Sequence, residues 1–450
     1  MAKRVQIGST HTAHFQHSEP HACLRATEVK PKLDRFLIEQ LEKDDRFGDG
    51  RWKKWFVGDG SQQSFDYMMR ITPNSEQVDR TQSIERAIAR AEHRPPNASL
   101  HEIHKNYFGN MASGNNIQDT IRETFKESLF YKDGLTLTIR CFIPELLTFI
   151  DEHIRGFFMM HNFGTRQRKG FGSFTVDIST KPNEPKGFDL VGKYCPNAYY
   201  CKLDNDVNAD ALLDAVWVIS AFLRSGFNRG EGNYVRGFVF RYFQREKNPL
   251  ANDKAFVKQQ VLRNVYNEAT RGEHLHPYGN NVRYRYVRGL LGTNENSRFC
   301  RAPNAHTPVY DIYTHSAEGI ERFPSPLLFK PIGKFVFILP QKMPDEIFGS
   351  EFYILEKNQE EKYDSKATSE QKLNYLKQEC KSGMIKTPTA EELAPGANSG
   401  DEALKMFLDA FAKDFNDKTS DKGGGYGIVD LTSRDVFPAK YLWLRPVLRT

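Results

Sequence analysis

Residues 134–178 constrain this chain more than any other stretch. Gly134 to Phe142 (Gly-Leu-Thr-Leu-Thr-Ile-Arg-Cys-Phe) alternates apolar and polar residues and is rich in β-branched side chains, the pattern of a strand with one buried face. Pro144 then opens a helix in which Leu146, Leu147, Ile150, Ile154 and Phe157 recur at helical spacing to about Met160. A basic glycine-rich loop follows, and Ser173 to Ile178 reads as a second strand. Strand, helix, loop and strand in this order form the second half of a ferredoxin-like βαββαβ unit. The first half is supplied by an opening strand within Arg4 to Phe15 and a helix over Val29 to Leu41. That helix places Val29, Leu33, Phe36, Leu37 and Leu41 on one face, with Pro31 in its first turn.

The chain has 450 residues, which favours two domains. The division is expected near 190: a first domain over 1–190 carrying the glycine-rich loop at 164–173, and a second over 191–450. In the second domain the pattern predicts a helix from Asp210 to Arg224 and strands at Tyr234 to Phe243, Arg283 to Leu291 and Lys334 to Leu339. A polar helical insertion is expected over about 357–420, with a helix from Glu402 to Phe415 inside it, and a short final strand at Tyr441 to Leu444. Gly58 to Asn97 mixes charges with little apolar period and reads as a loop or insertion around a short helix at Ser83 to His93. The class is therefore α+β.

Positive charge is concentrated in the middle of the chain. The net charge is only +6, but Arg155 to Gly172 contains Arg155, Arg166, Arg168 and Lys169 with no acid. Arg283 to Arg301 sets Arg283, Arg285, Arg288, Arg298 and Arg301 against Glu295 alone, whereas Glu351 to Asp421 is rich in acids. Local concentration of this kind is what binding to a phosphate backbone requires. No run approaches the roughly 18 apolar residues of a membrane span, and the first residues lack the apolar core of a secretory signal, so a cytoplasmic protein without membrane contact is expected. Six cysteines scattered at 23, 141, 195, 201, 300 and 380 fit reduced thiols rather than a disulfide framework.

Gly164-Thr-Arg-Gln-Arg-Lys-Gly-Phe-Gly-Ser173 carries the chemistry. Gly164, Gly170 and Gly172 permit positive φ and close approach of a ligand backbone. Successive amides can then converge on one phosphate while Arg166, Arg168 and Lys169 neutralise it. The competing reading is a solvated turn with incidental positive charge. Neither a Walker A order nor a strand-then-helix dinucleotide fingerprint is present, which disfavours ATP and NAD, and no cofactor is expected.

Three segments resemble one known family. Thr165-Arg-Gln-Arg-Lys-Gly-Phe-Gly-Ser173 is similar to the glycine-rich loop of the RAMP superfamily, especially the form found in the Cmr head subunit of type III-B CRISPR complexes. Leu24-Arg-Ala-Thr-Glu-Val-Lys-Pro-Lys-Leu-Asp-Arg-Phe36 resembles the segment that opens the first helix of that subunit, departing from it at Pro31, where glycine is usual, and at Asp34. Phe323-Pro-Ser-Pro-Leu-Leu-Phe-Lys330 resembles the Ser-Pro-Leu segment of the family's second half. The resemblance implies tandem ferredoxin-like (RRM-like) βαββαβ domains with helical insertions. It also implies a non-catalytic RNA-binding subunit of a type III CRISPR ribonucleoprotein that contacts CRISPR RNA near its 3′ end and assists capture of target RNA. Its partners would be CRISPR RNA, target RNA and other effector subunits.

The candidate RNA-binding residues are Arg25 and Lys30 at the start of the first helix, where the dipole adds to their attraction for phosphate, together with Gly164, Arg166, Arg168, Lys169, Gly170, Phe171 and Gly172 of the loop, and Arg283, Arg285 and Arg288. Lys32 and Arg35 read as solvated helix charges. Tyr284 and Tyr286, interleaved with the arginines, either stack on bases or face the core, and Phe171 either stacks on a base or packs beneath its loop. Two rival functions stand beside this one. A metal-independent endoribonuclease processing CRISPR RNA would use His14 or His161 as general base, and a scaffold subunit would turn its basic segments toward protein. No metal site is expected. His11, His14 and His17 alternate faces on a strand, and Cys195 and Cys201 are too widely spaced for the usual zinc half-site.

Overall fold

The computed structural model describes residues 1–8, 13–14, 24–74, 128–129, 133–164, 166–176, 184–203, 209–228, 234–244, 250–262, 283–293, 296–300, 309–318, 323–356, 371, 374, 378, 384–419 and 444–447. Over these residues the protein is mixed α+β. It divides into two compact units: Met1–Val218 with Leu328–Leu339 and Thr432–Thr450, and Ile219–Leu327 with Pro340–Leu431. The position expected for a boundary, 190–191, falls inside the helix Glu184–Tyr194.

In the first unit, β1 (Ala2–Gly8), α1 (Ala26–Leu41), β2 (Met68–Pro73), β3 (Leu135–Arg140), α2 (Pro144–Met160) and β4 (Thr175–Val176) follow one another along the chain. They build a sheet in the order β2-β3-β1-β4 with every neighbour antiparallel. Val5 stands opposite Leu137 and Ile7 opposite Leu135, and all four side chains are buried. A slip of one residue would turn this set to the other face, so the core fixes the register. The apolar stripe of α1, from Val29 to Leu41, and that of α2, including Leu146, Ile150, Ile154 and Phe157, join those strand residues in one core.

Three expectations need correction here. β2 lies where a loop was expected. It is an edge strand with neither face well buried, so it lacks the alternation that reveals a strand. Pro31 is not in the first turn, because α1 begins at Ala26; it stands at the sixth helical position, where it removes the hydrogen bond a residue there would donate to Thr27. The strand predicted at Lys334 to Leu339 belongs to the first unit. Strands Leu327–Ile332, Phe335–Pro340, Tyr199–Lys202 and Arg445–Pro446 form a second sheet, and Leu328, Phe335, Phe337 and Leu339 enter the same core as α1 and α2. The predicted helix at Ser83 to His93 lies outside the described residues, as do residues 441–443 of the predicted final strand.

The second unit is built on a six-stranded sheet in the order 250–252, 283–285, 384–386, 351–356, 309–316, 296–300. The first three strands run parallel and the rest antiparallel. The predicted strand Tyr234 to Phe243 begins as one, Tyr234–Val235, and then becomes a helix, Phe238–Tyr242, whose Phe238, Val239 and Phe240 are all buried. An apolar run buried on every side carries no period that separates helix from strand. The strand expected over Arg283 to Leu291 ends at Arg285 and passes into a 3-10 turn, Val287–Leu291.

Gly400–Thr419, inside the segment expected to be a polar insertion, is a core helix. It buries Leu404, Phe407, Leu408, Phe411 and Phe415, and the Asp414 carboxylate takes both Arg241 terminal nitrogens at 2.7 Å. Phe411 also packs against Phe238 with ring centroids 5.4 Å apart. Truncating Phe411→Ala should therefore cost about 3–5 kcal/mol, read as a lower urea midpoint. A surface insertion would lose almost nothing.

Candidate functional site

The loop after α2 is held in a tight left-handed path. Asn162 faces Ser173 across its neck, and the Phe163 N–H donates to the Gly172 carbonyl at 3.0 Å. Gly164, Arg166, Gly170 and Gly172 have φ of +84°, +53°, +91° and +65°. At Gly172 the requirement for glycine is absolute, since a Cβ there would lie 1.7 Å from the Phe163 carbonyl oxygen. The Lys169 N–H donates to the Arg166 carbonyl at 2.8 Å, curling the basic residues into a turn.

Two other segments of the first unit hold this path. From α1, the Glu28 carboxylate accepts the Gly164 N–H at 2.7 Å, and the Lys32 ammonium donates to Gln167 Oε1 at 2.8 Å and to the Asn162 carbonyl at 3.2 Å. Lys32 also lies over the Phe163 ring, 4.8 Å from its centre. From the hairpin strand Leu327–Ile332, Lys330 is wholly buried and donates to the carbonyls of His161 and Phe174, each at 2.8 Å, one on either side of the loop. Phe329 donates its N–H to the Arg168 carbonyl at 3.3 Å, and the Ser173 hydroxyl donates to the Pro331 carbonyl at 2.8 Å. Asn162 spends its amide protons on the carbonyls of Gln167 and Phe329, leaving its buried Oδ1 with no donor among the described residues.

The three sequence segments that share a family resemblance thus meet in one place. Arg25 is the exposed N-cap residue of α1, one turn before Glu28, and Lys169 is exposed on the loop. Arg166 and Arg168 are half-buried. Burial holds the Arg168 guanidinium below its ordinary range. Burial also lowers the Lys32 ammonium, with Glu28 opposing the shift and Arg35 and Arg168 adding to it, so cations crowd this face. Burial alone pushes Lys330 well below the usual lysine range.

Several candidates are placed differently from expectation. Phe171 is completely buried, packing beneath the loop rather than stacking on a base. Lys30 donates to Asp34 at 2.8 Å and to Ser64 Oγ and the Phe65 carbonyl at 2.9 Å, and lies over the Tyr67 ring. It is an internal counter-ion. Asp34, which departs from the family pattern, is its buried partner and also accepts the Tyr67 hydroxyl at 2.8 Å. Lys32, read as solvated, is instead a brace of the loop.

In the second unit, Arg285 makes two hydrogen bonds of 2.9 Å to Glu392, with Arg283 3.8 Å from the same carboxylate. Arg288 donates through Nε to buried Asp253 at 2.6 Å. Tyr286 is buried, and Tyr284 packs edge-on against Phe256. Arg285 and Arg288 are thus engaged by carboxylates, which an isolated run of arginines does not reveal.

His161 is the other inversion. Its Nδ1 meets the Phe157 carbonyl at 3.0 Å, its ring packs on Phe157 and Phe36, and burial lowers its pKa to about 4. His14 lies on a two-residue strand, Ala13–His14, and its side chain is outside the described residues, as are His11, His17 and His21. Cys195 and Cys201 are buried thiols, each pushed up to about 12 by burial. Glu28, Asn162 and Lys330 were not singled out as functional by sequence, and Lys32 was read as solvated. A Glu-Lys pair four residues apart and a lysine in an apolar strand were the available signals, and Asn162 offered none.

The chain matches two family models, one described as the Cmr1 N-terminal domain over residues 7–227 and one as the Cmr1 C-terminal domain over residues 234–432. Among solved structures it is similar to Cmr1 from Pyrococcus furiosus in its apo form, at 10% identity over 77% of this chain and 90% of that one, with a TM-score of 0.34. No curated protein matches it.

Removing the Lys330 ammonium, as in Lys330→Met, should cost about 1–3 kcal/mol for each carbonyl left without its donor. It should also open Arg166, Arg168 and Lys169 to trypsin, and unchanged digestion at that loop would contradict the bracing role. His161 predicts a pH effect. The unfolded imidazole titrates near 6.5 and the folded one near 4. The unfolded state thus binds the extra proton between those values, and stability is intact above the upper one and lost as pH falls toward the lower. His161→Gln should flatten the urea midpoint over that window.

Proposed function

The chain belongs to the Cmr1 family, subunits of type III CRISPR effector complexes, and on that premise we propose that it is the complex's non-catalytic RNA-binding subunit, gripping guide RNA and assisting capture of target RNA. The observation that carries this reading is the glycine-rich loop itself. Its backbone turns through left-handed glycines, it carries three cations, and two other segments of the first unit hold it against the loss of order that a polar turn would otherwise undergo. Ordering a binding loop before the ligand arrives removes that cost from the binding step. The contacting set narrows to Arg25, Arg166, Arg168, Lys169 and the loop amides, with Arg283, whose side chain is half exposed, as the candidate in the second unit.

The order β2-β3-β1-β4, with α1 and α2 between successive strands, supports a ferredoxin-like βαββαβ reading of the first unit. A tandem arrangement rests on the family resemblance alone, because the six-stranded mixed sheet of the second unit has a different order. His161 counts against the endoribonuclease alternative. An imidazole with a pKa of about 4 is a weak proton acceptor, and its ring packs on Phe36 and Phe157.

The test is retention of labelled CRISPR RNA by the full chain at two salt concentrations. Contact with about six phosphates predicts a loss on the order of a thousandfold between low and moderate salt. Replacing Arg25 and Lys169, the two exposed cations, by Ala should weaken retention and reduce the salt slope by about 2, one for each lost phosphate contact, while leaving the melting temperature in place. Undiminished binding by the double variant would remove the loop and the α1 N-terminus from the interface, and cleavage of the RNA would favour the enzyme.

A further inference from the structure

The second unit contains a polar cavity of about 60 Å³ that the RNA-binding reading does not use. Its polar lining comes from Arg224, Asp253, Tyr286, Arg288 and Thr314, and the remainder is aliphatic. We propose that this cavity binds a small phosphate-bearing anion.

Its charge is the first argument. Asp253, buried to 1% exposure, is held by Arg288 through Nε at 2.6 Å and accepts the Arg288 N–H at 3.4 Å. That pair cancels itself, which leaves the Arg224 guanidinium as net positive charge. Arg224 has five N–H donors. Its NH2 group donates to the Gly292 carbonyl at 3.0 Å, a neutral acceptor. A half-buried cation that feels the charge of Asp253 but has no carboxylate of its own among the described residues gains from an anion beside it. The surroundings add to the excess. Lys254, beside Asp253, is held down to about 7 by burial and then by the charge of Arg288, with Asp253, Lys258 and Arg236 as the other charges it feels.

Shape is the second argument. The Arg224 guanidinium fork and the Thr314 hydroxyl between aliphatic walls suit a tetrahedral oxyanion, whose several oxygens take parallel N–H bonds, while Arg288 stays on Asp253. The third argument is backbone register. Arg224 lies in a π-helical turn, Ala221–Ser225, and Val257, another lining residue, opens a second, Val257–Val261. Both are closed by five-residue hydrogen bonds, Gly226 to Ala221 at 2.7 Å and Leu262 to Val257 at 2.8 Å. Such turns sacrifice regular helix geometry to re-aim side chains, and they concentrate at binding sites. Two of them border one small cavity.

Equilibrium dialysis of the full chain against labelled inorganic phosphate, at ionic strength fixed with chloride, tests the assignment. Saturable binding of one phosphate per chain is expected, weakened at least about tenfold in Arg224→Gln by loss of charge-assisted hydrogen bonds. Thr314→Val keeps the shape of the wall and should also weaken binding, which guards against misfolding of the arginine variant. No saturable binding by the parent, or equal affinity in both variants, overturns the proposal. Competition with a short oligonucleotide, with and without a 5′-phosphate, identifies the source of the group. Displacement by the phosphorylated form alone indicates a nucleic-acid end, and displacement by neither indicates a free anion. Displacement by both overturns the proposal, because the labelled phosphate would then be on an RNA-binding surface.

Discussion

Lys330 donates its buried ammonium to two carbonyls, one before the basic loop and one after it, and the candidate site depends on that bridge. A loop with left-handed glycines and crowded cations has little reason to keep one shape, since its charges repel and its glycines lose much entropy on ordering. Joining its two ends from behind with one donor removes most of that freedom. Glu28 and Lys32 then fix its front to α1, so the loop is supported from two separate parts of the chain. Glu28 is the one carboxylate found touching the loop among the described residues, and it accepts a backbone amide while also lying 3.7 Å from Lys32.

The cations of the two units are used differently. In the first, several positive groups crowd one face of the loop, where Lys32 feels both Arg35 and Arg168 beside Glu28. In the second, Arg285 and Arg288 are each turned onto a carboxylate, and Arg241 onto Asp414, so most of their charge is spent inside the protein. Arginine suits this internal role because its fork matches a carboxylate with two parallel bonds. Arg224 departs from the pattern in having a neutral carbonyl as its hydrogen-bond acceptor beside a cavity.

Much of the first unit was legible because its elements are amphipathic. β1, α1, β3 and α2 each bury one face, and their periods predict both type and position. β2 was missed because an edge strand with partly exposed faces has no such period. Phe238–Tyr242 was mistaken for a strand because its three consecutive buried residues, Phe238, Val239 and Phe240, carry no period either. The site was legible in the same uneven way. The loop announced itself through its glycines and arginines, but its braces are ordinary residues whose roles exist only once distant segments meet.

Local chemistry was thus determined by the sequence alone: where the apolar stripes fall, where glycine is obligatory, and where positive charge is dense. Which charges remain available to a ligand was decided only by tertiary structure. A side chain's net electrostatic effect depends on what lies within a few ångströms of it, and those neighbours come from far along the chain. Lys30 and Lys32 are two residues apart on the same helix, yet one is tied to Asp34 and Phe65 and the other reaches Gln167.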